Sequence, residues 1–198
     1  MNLYYHLHEV AEGEQTFIRE SLSRFQQQYL RSKELGLSVE VKELPKYIGE
    51  LVNKKLNTGE LGIWPRIHDI VLLRDEPTTE RVFNGSDLLL ICANQLSEIA
   101  CLCKKESSHL EYGAMFPGIN MAIAYYFENP YVLWHEAFHL LRAEDCYETD
   151  AGTVTDRGPT CDKANCIMQY AITDDKIGNW PFLCQENMER VKSITGRA

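Results

Sequence analysis

The stretch WHEAFHLLRAEDCY, Trp134 to Tyr147, decides how the rest of the chain is read. It carries two histidines four residues apart, a glutamate directly after the first, and an aspartate six residues past the second. On a helix, positions i and i+4 share a face one turn apart, so His135 and His139 can grip one ion. Neutral imidazole is a good zinc ligand. Glu136 points into the same cleft, where a carboxylate can take a proton from a metal-activated water and hand it to a leaving amine. The bland alternative is a polar surface helix, because His-Glu-x-x-His is short enough to arise by chance. Context favours the metal. Phe138, Leu140 and Leu141 are apolar, as a buried helix requires, and burying two histidines and a glutamate without a partner is costly.

Upstream, the pattern predicts alternating strands and helices. LYYHLHEV (3–10) alternates as a strand does, and Phe17, Ile18, Leu22, Phe25 and Leu30 recur at helical spacing over 12–35, with Gly36 as a C-cap. LSVEVKEL (37–44) has period two, so the opening predicts two parallel strands joined by a right-handed crossover helix. Beyond it we expect a short helix near 46–55, a strand at IHDIVLL (67–73), a helix after Pro77 and a buried strand over 87–96. EIACLCKKE (98–106) reads as an edge strand, the region of Gly113, Pro117 and Gly118 as a loop, and INMAIAYYF (119–127) as a further strand. Asn129-Pro130 starts the helix that carries the histidines. After Asp145 comes a loop of about twenty residues, long enough to be functional or anchored. A last helix is expected over 181–194.

The 198 residues suit one domain, with an upper lobe to about 142 and a small lower lobe over about 143–198. Net charge is −9, which argues against nucleic acid or an anionic membrane as partner, since both need a basic surface. No apolar run approaches the ~20 residues that span a bilayer. The first residues, MNLYYHLHEVAEGE, lack the basic start of a secretory leader, so a cytoplasmic location is expected. His6, His8, His68 and His109 lack partners at ligand spacing and read as surface or satisfied core residues. Seven cysteines without a leader do not favour a complete disulfide framework. Cys92, Cys101 and Cys103 lie in apolar sequence and are expected to be buried thiols.

A catalytic zinc needs a third protein ligand. The metzincin pattern is His-Glu-x-x-His-x-x-Gly-x-x-His followed by a Met-turn. From His135 to Asp145 this sequence resembles it, with Asp145 in the third-ligand place as in snapalysin-like peptidases. Glu144, Glu148, Glu186 and Glu189 are the rival ligands. Cys166-Ile167-Met168-Gln169-Tyr170 resembles the Met-turn, which would set Met168 beneath the metal. The resemblance implies that Tyr170 supports the oxyanion. Arg142 stands where the family has glycine, a departure that costs on the order of 1 kcal/mol if φ is positive there. Cys146 and Cys166 are placed as in archaemetzincins, whose cysteines build a second, structural zinc site. With Cys161 and Cys184 they would supply four thiolates. Disulfides or free thiols are the alternatives.

The resemblance implies an α/β (α+β) zincin-like fold: a twisted mixed sheet with long helices, an active-site helix and a small C-terminal lobe. It implies a zinc-dependent metallopeptidase with Glu136 as general base. Its peptide or protein substrate would lie along an edge strand, at 98–106 or near 113–118. A non-catalytic zinc module that recognises a peptide or partner is the second reading. A cysteine–zinc protein with an incidental histidine pair is the third.

Overall fold

The computed structural model describes residues 1–59, 62–106, 112–116, 118–125, 129–146, 148–150, 153–155, 166–168 and 183–194. A five-stranded mixed sheet organises them. In chain order its strands are β1 (Asn2–His8), β2 (Glu40–Glu43), β3 (Leu88–Ala93), β4 (Gly113–Phe116) and β5 (Met121–Ala124). They lie side by side as β2-β1-β3-β5-β4, parallel except for β4, which runs antiparallel to β5. Six helices accompany the sheet: α1 (Glu12–Arg24), α2 (Lys46–Leu56), α3 (Ile63–Arg74), α4 (Glu98–Glu106), α5 (Pro130–Leu140) and α6 (Gln185–Ser193). A π-helical turn over Phe25–Leu30 extends α1. A separate antiparallel pair, β6 (Glu148–Asp150) and β7 (Thr153–Thr155), lies within the stretch expected to be a long loop.

Period-two alternation splits the core into two layers. Leu88, Leu90 and Cys92 of β3 face α1 and α5, whereas Leu89, Ile91 and Ala93 face α2, α3 and α4. All six are buried, as befits a parallel strand covered on both faces. The crossover expected at the start is present: α1 links β1 to β2, and the two strands are parallel. Aromatic packing fixes the histidine-bearing helix. Phe138 meets Phe25 edge-on with ring centroids 4.9 Å apart, and Trp134 lies 5.1 Å from Tyr29 and donates from Nε1 to the Ser21 carbonyl. Trp134 and Phe138 are one turn apart and face α1, which leaves His135 and His139 on the neighbouring stripe.

Several expectations are corrected. IHDIVLL is helical, not a strand: Ile63, Ile67, Ile70 and Leu73 are buried at spacings of four, three and three, while Leu72 is half-exposed. Residues 98–106 form α4 rather than an edge strand, because Ser97 caps the turn by accepting from the Ala100 amide and turns Ile99 and Cys103 inward. Cys101 points away and is exposed, contrary to the expected buried thiol. After Pro77 the chain makes hydrogen-bonded turns through Thr79 and Phe83 instead of a helix. The stretch read as a loop around Gly113 holds β4, the last strand on its side of the sheet. His6 and His8 are core histidines, both bonded at 2.8 Å to Asn53 Oδ1. Among the described residues, no helix is long and apolar enough to cross a membrane.

A strand would put residues 70 and 72 on one face; helix α3 puts them on opposite faces. Truncating fully buried Ile70 to alanine should therefore cost about 2–5 kcal/mol in a denaturant titration. Leu72→Ala should cost under about 1 kcal/mol, as half-exposure implies. Equal losses at the two positions would contradict the helix.

Candidate metal centre

Helix α5 starts where Asn129 accepts from the Tyr131 amide and Pro130 occupies the first turn. Its end determines the site. The Arg142 amide donates to the His139 carbonyl and the Ala143 amide to the Phe138 carbonyl, the paired bonds of a Schellman turn. Arg142 holds the left-handed position of that turn at φ +66°. The exposed arginine thus adopts the conformation that glycine takes most easily. The turn brings the Ala143 carbonyl to 2.9 Å from His139 Nδ1 and sends Asp145 back towards the helix.

Asp145 Oδ1 lies 3.1 Å from His135 Nε2 and 3.2 Å from His139 Nε2, and the two Nε2 atoms are 3.0 Å apart. His135 Nδ1 is 2.9 Å from the Ile167 carbonyl. A carbonyl only accepts, so each Nδ1 carries a hydrogen and each neutral Nε2 presents a lone pair. Two imidazole lone pairs and a carboxylate oxygen thus converge on one point. Their separations approach the ~3.3 Å edge of a tetrahedron built on 2.0–2.1 Å zinc bonds. The donor set fits a divalent metal ion. Burial acts to raise the Asp145 pKa, but positive charge at the His135 and His139 Nε2 atoms, whether a proton or a metal ion, outweighs it and holds the carboxyl well below the usual range. The rival carboxylates are occupied elsewhere: Glu144 and Glu186 pair with Arg190, and Glu189 accepts from Gln185. The Glu148 side chain lies outside the described residues.

Glu136 is buried, and its Oε2 has no hydrogen-bond partner among the described residues. Burial pushes its pKa up to about 7, His135 opposes that, and Asp145 adds to it. The carboxyl lies flush against β4. A Cβ added at Gly113 would stand 2.2 Å from Glu136 Oε1, so only glycine leaves it room. Nothing in the sequence flags Gly113, because its role depends on a strand pairing that brings residue 113 beside residue 136.

A second cluster lies one residue away along the chain. Cys146 Sγ is 3.6 Å from Cys166 Sγ and 3.7 Å from Cys184 Sγ, and all three thiols are buried. These distances exceed a disulfide bond and match the ~3.8 Å edge of a tetrahedral site with 2.3 Å zinc–sulfur bonds. The Cys184 amide donates to Cys166 Sγ at 3.3 Å, and Asn187 Nδ2 donates to Cys146 Sγ at 3.4 Å. Both clusters could hold a metal ion. Cys161 and Tyr170 lie outside the described residues. Met168 is fully buried in a turn, and its carbonyl accepts from the Cys146 amide at 2.8 Å.

The left-handed conformation at Arg142 carries a measurable strain. Relief of about 1–2 kcal/mol, less about 0.5–1 kcal/mol for glycine's greater freedom when unfolded, makes Arg142→Gly stabilising by up to about 1.5 kcal/mol. Arg142→Val should lose more than about 1 kcal/mol, since a β-branched residue disfavours positive φ. Denaturant midpoints of the three proteins check this; a valine variant as stable as the arginine protein would refute the strain. Compared with protein-family models and with curated proteins, the sequence matches none.

Proposed function

We propose that this chain is a zinc-dependent metallopeptidase with a metzincin-like architecture. One observation carries the reading: two imidazole lone pairs and a carboxylate oxygen meet within 3.2 Å, beside a buried carboxyl whose Oε2 has no hydrogen-bond partner among the described residues. His135, His139 and Asp145 would hold the zinc. When bound, the zinc supplies a Lewis acid for the scissile carbonyl and lowers the pKa of water.

The protein's own residues account for the rest. The Ile167 and Ala143 carbonyls fix the tautomer and ring planes of the histidines. Glu136, with a pKa near neutrality, accepts a proton and returns it to the leaving amine. Strand β4 ends the sheet beside Glu136, so an extended peptide pairing with it would run past the carboxyl. The other edge strand expected from the sequence, 98–106, is helix α4 and drops out of this role. We assign Met168 to the Met-turn and Tyr170 to support of the oxyanion. A second, structural zinc would sit on Cys146, Cys166 and Cys184 with Cys161 as fourth ligand, in the lower lobe of about 143–198.

Metal content and peptide cleavage test this directly. The purified protein is expected to hold two zinc ions per chain and to lose cleavage when a chelator removes them. Glu136→Ala should keep both ions and lose at least about 100-fold in turnover, the share of a general base. His135→Ala should retain one ion. Metal bound equally by the wild type and Glu136→Ala, with turnover absent from both proteins, would favour a non-catalytic binding module; full metal retention in His135→Ala would leave only a cysteine site.

Gly113→Ala provides an independent check. The added methyl group meets the mobile end of Glu136, so the side chain moves aside and the fold survives. A displacement of about 1 Å can cost roughly 100-fold in rate. We expect that loss in kcat with unchanged metal content and thermal midpoint. Wild-type turnover would separate Glu136 from the chemistry.

A further inference from the structure

We propose that Asn187 of α6 is a positioning residue that ties the thiol cluster to the His135–His139–Asp145 triad, so that the triad's metal affinity depends on it. The inference rests on the reading that both clusters bind metal. Asn187 is buried at 3% exposure. Its Oδ1 accepts from the Glu144 amide at 2.8 Å, and its Nδ2 donates to the Glu144 carbonyl at 2.8 Å. The same Nδ2 donates to Cys146 Sγ at 3.4 Å. One side chain therefore grips the residues on both sides of Asp145.

The chemistry suits an amide and no charged residue. An amide offers one acceptor and two donors at once, and all three are used here. A carboxylate of the same shape would keep the acceptor for the Glu144 amide. It would lose both donors and set a negative charge against sulfur that must be thiolate to bind metal.

The thiol cluster reaches the histidines by a second route. Asn187 lies three residues after Cys184, whose amide donates to Cys166 Sγ. Ile167 follows Cys166, and its carbonyl orients His135. The Cys146 amide donates to Met168, closing the loop. Groups that orient ligands from behind typically change metal affinity 10- to 100-fold when removed. Arg190 supplies an internal control. It lies on the same helix and pairs with the Glu144 side chain, but this contact is exposed and does not touch the backbone beside Asp145.

The test compares wild type, Asn187→Asp, Asn187→Ser and Arg190→Ala. Circular dichroism reports the fold, and chelator competition gives zinc affinities. In cobalt-loaded protein, sulfur-to-cobalt charge-transfer absorption counts the thiol site, and the remaining bound cobalt counts the triad. We expect triad affinity to fall about 10- to 100-fold in both Asn187 variants with the fold retained, and to stay within about twofold of wild type in Arg190→Ala. Wild-type triad affinity in a folded Asn187 variant would overturn the proposal, as would an equal loss in Arg190→Ala. Loss of fold in both Asn187 variants would mark a structural tie only and overturn it as well. A wild-type protein with no ion on the triad would overturn the metal reading itself, a result distinct from all of these.

Discussion

Three hydrogen-bond acceptors held within 3.2 Å of one another are the constraint on which this structure turns. Neutral histidines cannot relieve it, because their Nδ1 hydrogens are committed to the Ile167 and Ala143 carbonyls. Protonating both rings at Nε2 would point two hydrogens at each other across 3.0 Å. A divalent cation satisfies all three lone pairs together. Burial opposes ionisation at both carboxyls, yet the outcomes differ. Asp145 lies against two imidazoles that keep it ionised once a proton or a metal ion sits at Nε2, whereas Glu136 Oε2 has no partner among the described residues and is pushed towards neutrality. That divergence suits the two roles proposed for them, a ligand and a proton carrier.

Local backbone geometry delivers the ligands. The Schellman turn after α5 places the Ala143 carbonyl behind His139 and reverses the chain so that Asp145 returns. Glycine would make the turn without strain. Arginine at φ +66° makes the same turn with the same two hydrogen bonds. Arginine there therefore adds to the cost of the turn without breaking either of its hydrogen bonds.

The parts legible in the sequence were those set by spacing along one element. His135 and His139 meet because four residues make one helical turn. Asp145 was identifiable from its offset once the turn was assumed. Strands β1 and β3 were readable from alternation and from an unbroken apolar run. Short apolar runs such as IHDIVLL carry no such distinction, since helix and strand both bury a few isoleucines and leucines in seven residues. Strand β4 was hidden by glycine at its start and by its neighbours Pro117 and Gly118. Gly113 and Asn187 act across elements distant in sequence, through contacts that no local pattern encodes. Their signal is the close approach itself, a Cβ with no room at one and a buried amide making three hydrogen bonds at the other.

The C-terminal part illustrates what such contacts achieve. Beyond Arg142, the buried apolar residues among those described are Ala143, Ile167, Met168, Leu183 and Val191, together with three cysteines. Three of these eight buried side chains are therefore thiols. The thiols adjoin the triad along the chain: Cys146 follows Asp145, and Cys166 precedes Ile167, whose carbonyl faces His135. If the thiols hold a metal ion as proposed, its loss would loosen the Ile167 carbonyl and the backbone beside Asp145 together, and the geometry of the triad would then depend on the segment behind it.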